Sequence, residues 1–513
     1  MIIAIDEAAL GKSMNLIQGE GRHRKRLLVF SPWAVLALLV VNALYFVLRV
    51  SNPIIEADGW FYLESFLKKA IEHKLAFFDL FLKRGPDDHA APLFRLLLLI
   101  NYHYFDLDYV MEAVVGCIAA AACCLIYRTI IFSYANADPK AVLSLSWMTI
   151  CALQLSLNSV GIWVWPLVSL ENLTQLIILF FIMTVWHAHR AQRYLALVAT
   201  TLFLGITCDD SAILAVLATM MAYGFMLLAN PAHLNRPAWK VFLIVAACMT
   251  LVRIGYAWLP LTASADPHRA LATLAPSLLN HFRNGGWWQW LFLPLVLPVY
   301  YENPFGPSHS VAWHFIQAFV AIFLLAAHIS FWRKALNIKY DLTAFAAVSL
   351  MFLTYGWIAG IVLWRVSWAG NAYLEQPRYV LFYAGQLISL LLMWSSASKA
   401  PLASALSQRE FKAWPFMAAC LLLLFIQIPQ SLTAWHVRRY EWIYYVEMDR
   451  QLQGLTKDPV NFTDCALLQP ICSAAPYTRK TLTRLLREKK LNIFSPKVQH
   501  WHRYLPAARD DAG

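Results

Sequence analysis

Charged residues are scarce in this chain of 513 residues, where Asp, Glu, Lys and Arg together make up 14 % and hydrophobic residues make up 60 %. Soluble domains average about 25 % charged and about 45–50 % apolar residues. A mean hydropathy of +0.52 leaves too many apolar side chains for burial in one aqueous fold. The composition therefore excludes a soluble enzyme, a disordered protein and a disulfide-stapled scaffold.

Three further patterns are missing from the sequence. The basic run 21–26 precedes an apolar segment that lacks a small-residue cleavage site, which favours a spanning helix over a signal peptide. We find no inverted repeat of the kind common in secondary transporters. No RNA-binding signature accompanies the net charge of +12. We expect the positive charge to serve membrane orientation and contacts with membrane lipid, with no nucleic-acid partner.

Long apolar blocks are what the sequence does contain. Blocks of about 20 residues can cross the hydrocarbon core of a bilayer as helices, so we predict an all-α polytopic membrane protein. The eleven predicted spans cover approximately residues 27–48, 109–133, 141–163, 169–188, 192–208, 211–229, 239–258, 311–331, 342–364, 378–396 and 413–433.

Loop charges set the predicted orientation. With the N-terminus inside, the short inner loops contain most of the Lys and Arg, whereas the outer turns near 164–168 and 209–210 contain none. Arg365, at the head of the outer 365–377 loop, is the exception. We therefore divide the chain into a cytoplasmic segment 1–26, a membrane domain 27–433 and an outer C-terminal domain 434–513.

Two outer segments contain no predicted span. In the first outer loop, 49–108, Trp60, Leu63, Leu67 and Ile71 recur at helical spacing, and 92–105 is a shorter apolar piece. Both are typical of helices lying on the membrane surface. In the tail, 477–494 predicts an amphipathic helix leading into a short strand, so we expect a small α/β cap.

Two of the nine cysteines, Cys465 and Cys472, lie in the outer tail. Their spacing fits neither a zinc site nor a CxxC redox motif, and an exported compartment permits a disulfide. We expect a structural disulfide. The other seven lie in apolar spans, where small packing residues are typical.

The strongest local signal for chemistry follows the first span, in the segment 52–62. Glu56 and Asp58 are two residues apart, and in an extended segment both side chains would point the same way. They could share a substrate hydroxyl or a metal, with one acting as general base. The alternative is that Asp58 only caps the following helix.

Two other polar clusters lie at the predicted outer surface. Asp87, Asp88 and His89 could hold a sugar or a divalent ion, or an aspartate could cap the helix beginning near Pro92. Arg378 and Tyr379 open a span and suit an anionic lipid phosphate, although an interfacial anchor is the common alternative.

The order of these features resembles the GT-C superfamily of membrane glycosyltransferases across about residues 27–396. The branch that it resembles most contains the protein O-mannosyltransferases and the lipid A aminoarabinose transferase. The features are one span, a long first outer loop with an acidic motif and two surface helices, and later an Arg-Tyr pair opening an outer-facing span.

The resemblance assigns roles to individual residues. The catalytic aspartate of a D-x-x-x-Tyr pattern falls on Asp58 with Tyr62, while the second acid precedes it as Glu56. The donor phosphate would bind Arg378 and Tyr379. The remaining substrate-binding positions fall on His89 with its neighbours Asp87 and Asp88, on Glu171, and on Asp209. The chain departs from the family pattern at all three places, with His89-Ala-Ala-Pro-Leu where the family has His-Pro-Pro-Leu, Glu171 where it has an Asp, and Asp209 where it often has a Lys.

The resemblance implies transfer of one sugar from a polyprenyl-phosphate donor to a glycan, glycolipid or protein acceptor on the outer face of the cytoplasmic membrane. The displacement would invert the anomeric carbon, with Asp58 as base. A divalent cation (Mg or Mn), held by Glu56 and Asp58 if present, is compatible but not required. A lipid-linked polysaccharide polymerase or ligase, whose large loop would be 259–310, and a transporter or flippase remain the alternatives.

Overall fold

The computed structural model describes residues 32–82, 91–133, 140–229, 236–259, 271–300, 311–338, 340–367, 370–398 and 406–502. In these ranges all regular secondary structure is helical. Nine of the described helices are long and apolar enough to cross a membrane. The chain is therefore a multi-pass helical membrane protein, as the composition predicts.

The principal helices are numbered here in chain order, with short turns left unnumbered. They are α1 (Pro32–Val50), α2 (Asp58–Tyr62, continued by Leu63–Leu67 and Lys68–Ile71), α3 (Pro92–Phe105), α4 (Tyr109–Phe132), α5 (Lys140–Gln154), α6 (Glu171–Ala191), α7 (Tyr194–Ala229), α8 (Arg236–Ala257), α9 (Leu271–Arg283), α10 (Trp287–Val296), α11 (Val311–Asn337), α12 (Leu342–Ile361), α13 (Val380–Ser398), α14 (Leu406–Lys457), α15 (Pro476–Glu488) and α16 (Pro496–Trp501).

The two arms of α7 run in opposite directions. A straight helix would hold Tyr194 and Tyr223 about 40 Å apart. Instead Tyr223 shares a 2.9 Å hydrogen bond with His189, at the end of α6 next to Tyr194. Cys208 lies at the opposite end of α6, where it interacts with Glu171. The apolar arms Tyr194–Cys208 and Ser211–Ala229 are thus antiparallel, as expected for the separate predicted spans 192–208 and 211–229.

Helix α5 is shorter than its predicted span. It ends at Gln154, and the chain then forms two single-turn helices, Gly161–Val164 and Pro166–Ser169, in place of a span to residue 163. Polar Asn158 and Ser159 interrupt the apolar pattern here. Beside the nine long apolar helices, the described residues contain two shorter ones, α5 and the first arm of α7. Each of the eleven predicted spans therefore corresponds to an apolar helix.

Helix α13 lies at the centre of the bundle. In an 18-residue apolar stretch of Pro377–Ser396, 89 % of the residues are buried, compared with 28 % and 17 % in stretches of the same length in α1 and α14. It packs against α12, α5 and α11. The peripheral position of α1 and α14 leaves much of their apolar surface free for lipid.

The first outer loop contains the two predicted surface helices. In α2 the side chains of Trp60, Leu63, Leu67 and Ile71 are buried, while Glu72 is exposed. This confirms the amphipathic pattern. Helix α3 begins at Pro92 and ends at Phe105, the predicted bounds, and its N-cap position is occupied by Ala91.

The outer tail packs on that same loop. Helix α14 has 52 residues and would be about 78 Å long at 1.5 Å per residue, well beyond a bilayer core of about 30 Å. Beyond it, Asn492 donates side-chain hydrogen bonds to the carbonyls of Pro53 and Leu107, at 2.6 and 2.7 Å. The tail and the first outer loop therefore lie on one side of the membrane.

The predicted α/β character of the tail is wrong. In the described part, up to residue 502, the tail contains helices and 3₁₀ turns but no strand. Asn492–Phe494, where the strand was expected, is a 3₁₀ turn, and the Asn492 amide donates to the Asp106 carbonyl. In a strand, the backbone amide of Asn492 would need a carbonyl of a neighbouring strand. Here it is satisfied by the carbonyl of Asp106 in the loop.

A disulfide joins Cys465 and Cys472, with Cα atoms 5.5 Å apart. It lies between α14 and α15, where the chain turns back toward the first outer loop. The bridge expected from the sequence is thus part of the tail. The other seven cysteines are free, and six of them are buried.

Candidate active site

The two acidic residues of the first outer loop occupy different environments. Ala57, between them, has a φ of 45°, and helix α2 begins at Asp58. The segment is therefore a turn, and the alternation of side chains expected for an extended segment does not apply. Glu56 is half-buried, whereas Asp58 is exposed.

The capping interpretation of Asp58 is wrong in its geometry. Ala57 occupies the N-cap position of α2. Asp58 is the first helical residue, where a carboxylate is favoured by the helix dipole. Asp58 therefore lies one position after the N-cap, with an exposed side chain.

Asn52 holds the Glu56 side chain in place. The Asn52 side-chain amide donates a 2.9 Å hydrogen bond to Glu56 Oε2, and Asn52 Oδ1 accepts from the Ile54 amide at 2.9 Å. Burial raises the pKa of Glu56 to about 7, with the nearby carboxylate of Glu441 contributing in the same direction. Glu56 therefore changes charge near neutral pH, a property useful in a proton-transfer site.

Glu441 is a site residue that sequence reasoning missed. It lies on α14, and buried Tyr445 donates a hydrogen bond to it. Its sequence context, with arginines and aromatic residues around it, indicates only an interfacial helix. The contact with Glu56 depends on how far α14 extends over the first outer loop, which no local pattern specifies.

Tyr62 lines a small pocket beside the acidic segment. The other polar groups in it belong to Arg95, Tyr109 and Glu112, and Leu167 lies on its far wall. Arg95 is 1 % exposed and donates to the carbonyls of Asp79 and Leu80, both at 3.0 Å, and its guanidinium lies 5.7 Å from the Tyr62 ring.

Two further polar groups of this pocket lie at the outer end of α4. Glu112 is buried and accepts a 3.0 Å hydrogen bond from Asn101, while the Tyr109 hydroxyl is buried with no hydrogen-bond partner among the described residues. Sequence reasoning did not select Tyr109 or Glu112, because both read as the start of a span. They add hydrogen-bonding groups below Tyr62.

Arg378 is surrounded by aromatic rings. Its guanidinium carbon lies 5.5, 5.4 and 5.1 Å from the ring centres of Trp165, Tyr373 and Tyr379. It donates a 2.5 Å hydrogen bond to the Tyr373 hydroxyl, and its Nε has no hydrogen-bond partner among the described residues. This arrangement holds a permanent positive charge in place among three aromatic rings.

One short segment connects the acidic residues to Arg378. The Asn52 amide donates to the Val164 carbonyl at 3.3 Å, and the neighbouring Trp165 ring contacts Arg378. Asn52 in turn binds Glu56. The segment 159–165 was predicted as the end of the span 141–163 and the start of the turn 164–168. It brings the first outer loop and the Arg-Tyr pair close together.

The remaining predicted site residues are Asp87, Asp88, His89, Glu171 and Asp209. Asp87, Asp88 and His89 lie outside the described residues, and of Asp209 only the backbone is described, at the reversal of α7. Glu171 begins α6 and interacts with Cys208 close to that reversal.

Metal ligands are sparse at this site. In the part of the chain that the structure describes, no group of three or more His, Cys, Asp or Glu residues could hold a metal ion. Of the two carboxylates considered for a cation, Glu56 faces Asn52 and Glu441, and Asp58 is exposed. The two side chains lie in different surroundings and do not form a shared metal site among the described residues.

Three tryptophans, Trp287, Trp288 and Trp290, lie on α10. Trp287 and Trp288 are exposed, and the Trp290 indole donates a 2.8 Å hydrogen bond to Asn371. Exposed aromatic residues of this kind fit an interfacial belt.

Comparison with known proteins gave no match: neither a family model, nor a curated protein, nor a solved structure is significantly similar to this chain.

Proposed function

We propose that this chain is a membrane glycosyltransferase of the GT-C type. It would move one sugar from a polyprenyl-phosphate donor to a glycan, glycolipid or protein acceptor on the outer face of the cytoplasmic membrane. The observation that supports this best is that the acidic segment lies close to Arg378. Asn52 and the segment 159–165 connect the two. Acid–base chemistry and phosphate binding are both needed for such a transfer.

The roles follow from the chemistry of each group. Asp58 would accept the proton of the acceptor hydroxyl as its oxygen bonds to the anomeric carbon. The bond from that carbon to the phosphate oxygen breaks, and the polyprenyl phosphate leaves with the bonding electrons. Arg378 would stabilise the charge on the leaving phosphate, since its guanidinium matches phosphate oxygens in two-pronged geometry.

Glu56 and Tyr62 would orient the acceptor. Glu56 is two residues from Asp58 in sequence, but its carboxyl group binds Asn52. A change in the protonation of Glu56 would therefore alter the charge near Asp58 without Glu56 itself contacting the reacting hydroxyl. Tyr62 and the polar groups of its pocket provide hydroxyl-binding groups on the other side.

The transfer assay tests this function directly. The purified chain in nanodiscs, supplied with a panel of polyprenyl-phosphate hexoses and pentoses and a membrane extract as acceptor, should release polyprenyl phosphate. A positioned base contributes about 10²–10⁴-fold in rate, so Asp58→Asn should slow release by that factor. Glu64→Gln is the matched control, because Glu64 is an exposed acid on the same α2 stretch.

The same assay separates the two carboxylates. Near-normal release by Asp58→Asn, with loss in Glu56→Gln, would move the base to Glu56. No release from any donor by the unmodified chain, combined with movement of the donor across the bilayer, would contradict transfer and favour a flippase.

A further inference from the structure

Three arginines form an exposed cluster where α1 and α14 reach the outer surface. Arg49, at the end of α1, lies 5.5 Å over the Tyr45 ring, and Arg438 of α14 lies 5.5 Å over the Trp435 ring. The two rings contact each other, with centres 5.4 Å apart. Arg49 and Arg438 therefore flank one aromatic pair.

Arg439 adds a third positive charge next to this pair. It donates a 2.9 Å hydrogen bond to the Tyr440 hydroxyl and contacts His436 at 3.4 Å. All three arginines are exposed to solvent. Among the described residues, none of the three arginines forms an ion pair with an acid. Glu56 and Glu441 are half-buried and bound to Asn52 and Tyr445, so the arginine cluster keeps a net positive charge.

The cluster lies at the end of α1 that leads into the first outer loop. The described part of α1 is apolar over 19 residues, about 28 Å, a length sufficient to cross most of a hydrocarbon core. Arg49 is its penultimate residue, on the side of the first outer loop. The Trp435 indole donates a 3.0 Å hydrogen bond to Asn42, and Phe46 packs on the Trp435 ring. These contacts fix α14 beside α1 and hold Arg438 at the height of lipid headgroups.

An apolar surface lies directly below the arginines. The most exposed side chains of α1 are Leu38 and Val41, and those of α14 in this region are Phe425 and Leu432, each more than 60 % exposed. Both helices are peripheral in the bundle. A molecule with acyl chains and an anionic headgroup would contact both parts at once.

We propose that the arginine cluster binds a bilayer lipid with a phosphate-bearing anionic headgroup on the outer side. Guanidinium groups remain charged at all relevant pH values and bind phosphate oxygens in two-pronged geometry. The lipid chains lie along the exposed faces of α1 and α14. This site is separate from Arg378 and goes beyond the proposed transfer reaction.

The test compares lipid retention by native mass spectrometry. The full chain is purified with phosphatidylglycerol or phosphatidylcholine of the same acyl chains. We expect preferential retention of phosphatidylglycerol. Each basic residue near a charged surface contributes about fivefold in affinity, so Arg438→Gln with Arg439→Gln should lower retention about tenfold or more. Arg438→Lys with Arg439→Lys should keep part of it.

A matched control removes the same charge elsewhere. Arg484→Gln with Arg487→Gln alters two exposed arginines of α15 and should leave retention unchanged. Equal loss in both double variants, or equal retention of the two lipids, would overturn the site. Displacement of the lipid by excess inorganic phosphate would instead indicate a site for free phosphate and overturn the lipid assignment.

Discussion

At the scale of single residues, Asn52 determines how the acidic segment is presented. Its side chain both closes the turn, by accepting from the Ile54 amide, and donates to Glu56. Its backbone amide reaches Val164. One buried side chain therefore sets the position of Glu56 relative to the segment that contacts Arg378, and the turn leaves Asp58 exposed as the first residue of α2.

Glu56 gives a prediction about pH. Its pKa is raised from an ordinary value of 4.5 to about 7 in the folded chain. Between these values the unfolded chain has released the proton while the folded chain retains it, so stability falls as pH rises from 4.5 to 7. Glu56→Gln cannot ionise, and its unfolding temperature should fall less over this window than that of the unmodified chain.

Thermal unfolding in detergent, followed by circular dichroism between pH 4.5 and 7.5, measures this difference. Glu441 is present in both proteins, so the comparison isolates Glu56. Glu64→Gln, which alters an exposed acid of the same outer loop, should keep the pH dependence of the unmodified chain. Identical slopes for Glu56→Gln and the unmodified chain would contradict the raised pKa.

Local sequence identified only part of the candidate site. Asp58, Glu56, Tyr62 and Arg378 were selected because an unusual charge or motif adjoins a predicted span. Glu441 gave no such signal, because its role depends on a contact between residues almost 400 positions apart in the chain. The divergence of Glu56 and Asp58 could not be predicted either, since a positive φ at an alanine has no sequence signature.

At the scale of elements, the outer tail is attached to the first loop by a few buried polar contacts. Asn492 is fully buried, and its side chain serves two carbonyls of the loop. His502 lies 2.7 Å from Asp108, which also caps α4 by accepting from the Val110 amide. These contacts connect the end of the described chain to the helices that surround the acidic segment.

Asn492→Ala should loosen this attachment. Two buried carbonyls would lose their donor, at about 1–3 kcal/mol each, and alanine is less favourable than asparagine at the observed φ of 55°. We expect hydrogen exchange to rise at least about tenfold in 491–498 and in the loop around Leu107. Asn461→Ala, at an exposed tail residue bonded to Asp458, is the control and should change neither region. Unchanged exchange in Asn492→Ala would contradict docking through this residue.

Periodicity predicted the elements better than their ends and partners. The long apolar spans and both surface helices follow from hydrophobic spacing, which reflects burial along one helix face. The early end of α5 was missed, because an apolar run continues past Asn158 to Val164 while the polar residues break the helix. The prediction of a strand in the tail was wrong. This segment, Asn492–Phe494, is a 3₁₀ turn that binds the first outer loop, and contacts with a loop leave no periodic pattern in the sequence.

At the scale of the whole molecule, the described contacts place the tail, the acidic segment and the Arg378 region on one side of the membrane. The positive-inside pattern predicts that this side is the outer one. A cysteine at Tyr477, which is 78 % exposed, should react with a membrane-impermeant maleimide in intact spheroplasts. A cysteine at Lys12, which lies outside the described residues, should react only after permeabilisation.

The parent chain, with its own cysteines, gives the background for this labelling. Tyr477 and Arg479 both lie on α15, so labelling at Tyr477 reports on which side of the membrane this helix of the tail lies. Protection of the Tyr477 position in intact spheroplasts would reverse the orientation and place the candidate site in the cytoplasm.

The proposed transfer reaction is tested most directly by cryo-electron microscopy of the chain in nanodiscs with a polyprenyl-phosphate hexose bound. We expect the phosphate within hydrogen-bond distance of the Arg378 guanidinium, on the side of the membrane that holds the first outer loop. The Asp58 carboxylate should face the anomeric carbon from the side opposite the phosphate, as inversion requires. A donor phosphate bound away from Arg378, or at the other ends of the spanning helices, would contradict the proposal.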